Sequence, residues 1–272
     1  MLACAASGRS AHLSQTATHS FDEYVERARA TSVQSSSLWV DGAADRLRRV
    51  RSGEIVVAPV GENPHQVPDG LVHDWISAEF IPGATLDEVF AVIHDYDRYS
   101  EFYAPHVMTS RSLGHTGEDY RFALRLVNQS LLNKSALDSE YTESYVRLSD
   151  HSWYSVAYTT SIRQIVDLGD EDERKLPDGQ GSGYLWRLFC ISHFMERDGG
   201  VYVEMEVIAL SRTIPPLLRW FVDPIVRRTA KSALEISMGK TKAAVNSQTA
   251  AGSRADEAKR AALPAAVRRT GS

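Results

Sequence analysis

The feature that most constrains this chain is a run of six extended segments in a row, at 106–113, 119–131, 137–148, 153–167, 183–196 and 199–213. Parallel neighbours would need a crossover of a dozen or more residues, usually a helix, between them. Most of these segments follow one another with short turns instead, and an antiparallel meander is the simplest connectivity. Arg197-Asp198-Gly199-Gly200 is a tight hairpin signal between the last two. Residues 169–182 carry charged residues with Gly and Pro, the chemistry of an exposed excursion.

A helix follows the meander. Pro215-Pro216 opens it, and Leu218, Val222, Ile225, Thr229, Ala233 and Ile236 recur at gaps of three and four, an apolar stripe. Arg219, Arg227, Arg228, Lys231 and Glu235 lie off that stripe. Pro224 falls inside the pattern and is expected to kink the helix or to end a first turn at Asp223. The Ala-, Arg- and Ser-rich stretch 247–272 reads as a disordered tail.

Ahead of the meander, 71–81 is β-rich, and Thr85 with Glu88 forms a capping box that starts a helix over 86–94. A second short helix runs from Asp97 to Tyr103 and stops at Pro105. Further upstream, 21–30 and 43–51 have helical spacing and 54–60 reads as a strand. The expected organisation is a disordered leader at 1–20, a helical extension at 21–69, a main domain at 70–246 and a tail at 247–272.

Composition excludes several classes. With 30 Lys+Arg against 35 Asp+Glu the net charge is −5, which argues against nucleic acid as a partner. No stretch approaches the roughly 20 apolar residues of a membrane-spanning helix. Two cysteines, Cys4 and Cys190, make neither a disulfide framework nor a thiolate metal site, and the nine histidines show no ligand spacing. No metal or other cofactor is expected. His73, His106 and His193 read as structural residues and Cys190 as an inert core thiol.

The opening Phe80-Ile81-Pro82-Gly83-Ala84-Thr85-Leu86-Asp87-Glu88-Val89-Phe90, with Asp95-Tyr96-Asp97-Arg98-Tyr99 and Phe102-Tyr103-Ala104-Pro105, resembles the START-like (SRPBCC) superfamily. So do the last hairpin, 197–204, and the entry to the final helix, 211–215. The resemblance covers 71–245 and implies an α+β helix-grip fold: a curved antiparallel sheet wrapped around a long C-terminal helix, with two short helices after the first strand. It implies little about function, since members bind lipids, sterols, polyketides or hormones, and some are polyketide cyclases or aromatases. Including Phe21-Asp22-Glu23-Tyr24-Val25, the chain is most similar to a bacterial group of unknown function whose members often carry a signal peptide. Met1 to Ala17 lacks the basic and apolar regions of such a peptide, so the sequence as written reads as cytoplasmic. Leu2-Ala3-Cys4 faintly resembles a lipoprotein signal, which leaves an extracytoplasmic location open if the true start lies upstream.

In such a fold the inward side chains of each strand wall a cavity. Val201, Val203, Met205, Val207 and Ala209 form an apolar alternate set expected to face the helix, leaving Glu204 and Glu206 on a solvated outer face. The mid-strand charges Arg125, Glu140, Arg163, Arg187 and Glu206 admit two readings: outward ion pairs, or an inward network in which Arg125 or Arg187 anchors a ligand oxygen. Tyr141, Tyr158, Trp186 and Phe189 are candidate aromatic wall residues, with core packing as the alternative. The candidate ligand-binding set is thus Arg125, Tyr141, Tyr158, Trp186, Arg187, Met205 and Val207, with no catalytic residue assigned. The leading expectation is a non-catalytic carrier or sensor of an apolar small molecule. The alternatives are a cyclase or aromatase, marked by an inward carboxylate of raised pKa, and an interaction module.

Overall fold

The computed structural model describes residues 11–34, 37–130, 133–214 and 216–262. The chain opens with β1 (Ala11–His12), α1 (Gln15–Gln34), a 3₁₀ turn at Trp39–Gly42 and α2 (Ala44–Arg51). Next come β2 (Val56–Pro59), β3 (His65–Val67), β4 (Gly70–Pro82) and α3 (Leu86–Ile93). A 3₁₀ turn at Tyr96–Arg98 leads directly into α4 (Tyr99–Phe102). The meander is β5 (Val107–Thr116), β6 (Asp119–Ser130), β7 (Asn133–Ser149) and β8 (Ser152–Val166). Two short pairings, β9 (Arg174–Lys175) and β10 (Gln180–Gly181), precede β11 (Arg187–Arg197), β12 (Gly200–Arg212) and the final helix α5 (Pro216–Ala262).

The main sheet runs β2-β4-β12-β11-β8-β7-β6-β5, antiparallel throughout. The expected meander is therefore present, and β4, the first long strand, lands beside β12, the last. The β11–β12 hairpin pairs Arg197 with Gly200 across Asp198 and Gly199, both at positive φ (58° and 76°), the backbone that a two-residue hairpin demands. Gly200 has no room for a side chain, because a Cβ would meet the Ile81 carbonyl. Register shifts at Glu140/Tyr141 and at two places between β5 and β6 bend the strands, as a wrapped sheet needs.

The concave face packs on α3 and α5. Its core joins Ile81, Val89, Val92, Phe194, Val201 and Val203 to Met238 and Val245. Thr85 caps α3 by accepting from the Glu88 N–H, while Glu88 Oε2 accepts from the Thr85 N–H at 2.9 Å, so the expected capping box is present.

The stripe expected on the last helix is shifted. Thr229, Ala233 and Ile236 are exposed, Ile236 at 37%, and the buried positions are Leu234, Met238, Thr241 and Val245. Apolar residues occur on two faces here, and contact with α3 and β4 selects one of them. Leu218, Val222 and Ile225 lie outside the described side chains. Pro224 does not end the helix, which is continuous from Pro216 and extends past 246 to Ala262. At the other end α1 begins at Gln15, within the stretch expected to be a disordered leader. Residues 1–10, with the Leu2-Ala3-Cys4 motif, lie outside the described residues, as do 263–272.

The convex face is not solvated as expected. Tyr202, Phe80 and Ala78 are buried with Leu38, Val40 and Val50 of the N-terminal extension. Val72, Trp186, Phe189, Ile191, Ile208 and Leu210 are buried with Ala17, Phe21 and Val25 of α1. Glu204, expected to be solvated, is 3% exposed; its carboxylate accepts from the backbone N–H groups of Trp39 and Val40, each at 2.8 Å. Two N–H donors of the 3₁₀ turn thus find their acceptor on the sheet, which is why a carboxylate sits under the extension.

A candidate ligand wall on the concave face

Alternation along the strands sorts the side chains by face. Val201 and Val203 meet α5, so Met205, Val207 and Ala209 share their face. Through the register, Leu188 and Cys190 of β11, Ser155 and Ala157 of β8, and Tyr141, Glu143 and Tyr145 of β7 join them. On this face Met205, Val207, Ala209, Leu188 and Cys190 keep accessible surface, whereas Phe189, Ile191, Ile208 and Leu210 on the opposite face are buried. Cys190 stands among them, half-buried, and burial, then the Glu143 charge, pushes its thiol up.

A polar nest lies within this wall. Glu143 accepts from Tyr96 Oη at 3.0 Å and from Ser155 Oγ at 2.8 Å, and Tyr96 and Tyr145 share a hydrogen bond at 3.1 Å. Burial raises the Glu143 pKa, and these hydroxyl donors oppose the rise. Tyr96 is fixed by stacking on Phe122 at 4.2 Å, which stacks on Tyr141 at 4.9 Å across the β6–β7 pair. His94 lies between Phe90 and Tyr120, at 5.2 Å and 4.6 Å. Its Nε2 is buried without a partner, and burial, then His115, lowers its pKa to about 4, so it is the neutral imidazole near pH 7.

A second inward acid, Glu79, opposes Val203 and is fully buried, with neither oxygen hydrogen-bonded. Burial raises its pKa to about 8 against the opposing Lys242. Lys242 itself donates to the Phe80 carbonyl at 2.8 Å, and Thr241 bonds to Tyr103 at 2.9 Å, tying α5 to the rim of β4 and to α4.

The seven sequence-expected residues divide between the faces. Tyr141, Met205 and Val207 stand on the concave wall. Arg125 does not point inward: it pairs with Asp138 at 2.7 Å and with Glu173 at 3.5 Å, opposite to its inward neighbour Leu124. Glu140 and Arg163 share that outer parity, so no inward arginine–glutamate network forms. Tyr158 is 44% exposed on the convex side. Trp186 packs under α1, and Arg187 pairs with Asp178 at 3.1 Å. Arg187 instead lines an open cleft of about 430 Å³ on the convex side, with His12, Thr18, His19, Asp22 and Asp178. Sequence reasoning missed Glu143, Glu79 and Tyr96; the alternation Tyr141, Glu143, Tyr145 within one strand was the available signal for the first.

Among the described residues no cluster of three or more His, Cys, Asp or Glu can hold a metal ion, and no helix is long and apolar enough to cross a membrane.

No family model and no curated protein matches the sequence. Solved structures do superpose. A STAR-related lipid transfer protein from Xanthomonas axonopodis is 14% identical with a TM-score of 0.47, covering 70% of this chain and 98% of that one. Human STARD10 is 10% identical with a TM-score of 0.44, covering 78% and 82%. The Zhui aromatase/cyclase from a Streptomyces is 9% identical with a TM-score of 0.42, covering 65% and 96%. At this level of likeness the strand order and the placement of α3, α4 and α5 carry the assignment. The architecture is a helix grip, an antiparallel sheet closed on α3 and α5. The N-terminal extension turns the outer face of the grip into a second core.

Proposed function

We propose that this protein carries or senses an apolar small molecule held between the concave wall and α5. The observation that supports this most is Cys190, which stands on that wall and keeps accessible surface. Met205, Val207, Leu188 and Ala209 supply a continuous apolar surface around it, and Tyr141 closes one side. A wall of this kind with a few convergent polar groups is the ordinary make-up of a small-molecule site.

A second reading is favoured by one specific observation. Glu143 is an inward carboxyl with a raised pKa, the mark expected of an acid–base group in a cyclase-type enzyme. Both its oxygens, however, are already engaged by Tyr96 and Ser155, an arrangement that holds a proton acceptor still rather than offering it to a substrate. Carriage is the better account.

Native mass spectrometry of the purified protein tests it. A co-purifying apolar adduct, displaced by competing lipid, is the expected result; a protein that stays at its bare mass in the presence of excess lipid contradicts it.

A further inference from the structure

Helix α1 lies over two acids that face each other. Asp74 and Glu206 are on the convex face of neighbouring strands, and the register pairs Asp74 with Ile208 and Glu206 with Ile76, making the two acids diagonal neighbours. Asp74 is 1% exposed and Glu206 half-buried. Tyr24 of α1 donates to Asp74 Oδ2 at 2.8 Å, an inter-element contact beside the apolar seam of Phe21 and Val25. Asp74 Oδ1 is buried without a hydrogen-bond partner, and the diagonal Glu206 is the acid beside it on the sheet.

Among the described residues no cation compensates the pair. From α1, Arg27 lies over the Tyr24 ring, 5.9 Å from its centre, rather than on the acids. From β3, His65 stacks against Tyr24 at 5.5 Å. Asn63 binds the Asp74 backbone carbonyl. On β12 Glu204 is committed to Trp39 and Val40, and on β11 His193 is bonded to Ser32 at 2.7 Å. Two carboxyl groups in this setting share one proton, because both cannot ionise side by side away from water.

We propose that the Asp74–Glu206 pair is a proton-dependent latch for α1: the shared proton keeps the helix on the sheet, and its loss releases the helix. Release hydrates Glu206 and uncovers Trp186, Phe189, Ile191 and Ile208. Burial raises the pKa of both acids in the docked state, with the neighbouring carboxylate adding to the rise at Glu206. Acids raised on docking favour the docked state at low pH. Docking weakens as pH climbs from the ordinary carboxylate range towards the raised value, by about tenfold in the docking equilibrium per pH unit for one proton.

Amide hydrogen exchange of the full chain across about pH 5 to pH 8 tests this, with protection factors corrected for the intrinsic pH dependence of exchange. Protection over residues 15–34 should fall by about tenfold per pH unit while that of β11 and β12 stays level. The double variant Asp74→Asn/Glu206→Gln carries neither titrating group, so its α1 protection should be flat with pH. A merely structural role would lower its protection and leave the slope intact. A flat wild-type profile, or a slope surviving in the folded double variant, overturns the latch.

Discussion

The two faces of the sheet are built from the same strands but stabilised differently. The concave face is covered by α3 and α5 and keeps accessible apolar surface at Met205, Val207 and Cys190. The convex face is covered by a segment outside the helix-grip core and has its apolar positions closed off at Ile208, Leu210 and Tyr202. Carboxyl groups are buried on both, but to different ends. Glu143 is held by hydroxyls and Glu204 by backbone amides, whereas Glu79 is left without a donor. Both faces thus carry a core, but only the concave one keeps accessible apolar surface beside its own, and the candidate site lies there.

The largest expected effect is on the concave seam. Val245→Asp puts an unpaired charge into a fully buried position and should cost more than about 4 kcal/mol, enough to abolish folding, whereas Ile236→Asp on the exposed side of α5 should stay within about 0.5 kcal/mol. Denaturant titration of the two variants would show whether α5 grips with the shifted stripe.

The convex core should come next. Trp186→Ala removes a buried aromatic beneath α1 and should cost about 3–5 kcal/mol while leaving apolar-dye binding intact. Loss of dye binding together with stability would mean that the two faces are not independent.

A smaller loss is expected at the junction. Glu204→Leu leaves the Trp39 and Val40 N–H groups without their acceptor and should cost about 1–3 kcal/mol, concentrated in the exchange protection of 38–51. Smallest of all, Arg125→Ala breaks a rim pair whose partner Asp138 still has Lys175, so its effect on stability should lie below about 1 kcal/mol.

Much of this fold is legible in the sequence. The Arg197–Gly200 turn, the Thr85–Glu88 box and six segments without intervening helices specify a meander that closes on a helix. The inward set from Val201 is legible too, because period-two alternation has only two phases. What cannot be read is which apolar face of α5 is used, since Ile236 and Met238 both offer one. Nor does strand parity say what covers the convex side: Glu204 points outward as expected, but only the fold shows backbone donors waiting there. Between Glu140 and Tyr141 the register shifts, so counting by twos across 139–163 assigns charges to faces unreliably.

The central claim, a ligand site on the concave wall and none on the convex one, is tested most directly by titrating an environment-sensitive apolar dye into Val207→Trp and Tyr158→Trp. Both substitutions add an indole; one enlarges a side chain on the concave wall and the other decorates the outer face. The account predicts saturable dye binding weakened about tenfold or more in Val207→Trp, the scale of a modest overpacking penalty, and unchanged in Tyr158→Trp. Equal affinity in the two variants, or weakening only in Tyr158→Trp, would contradict it.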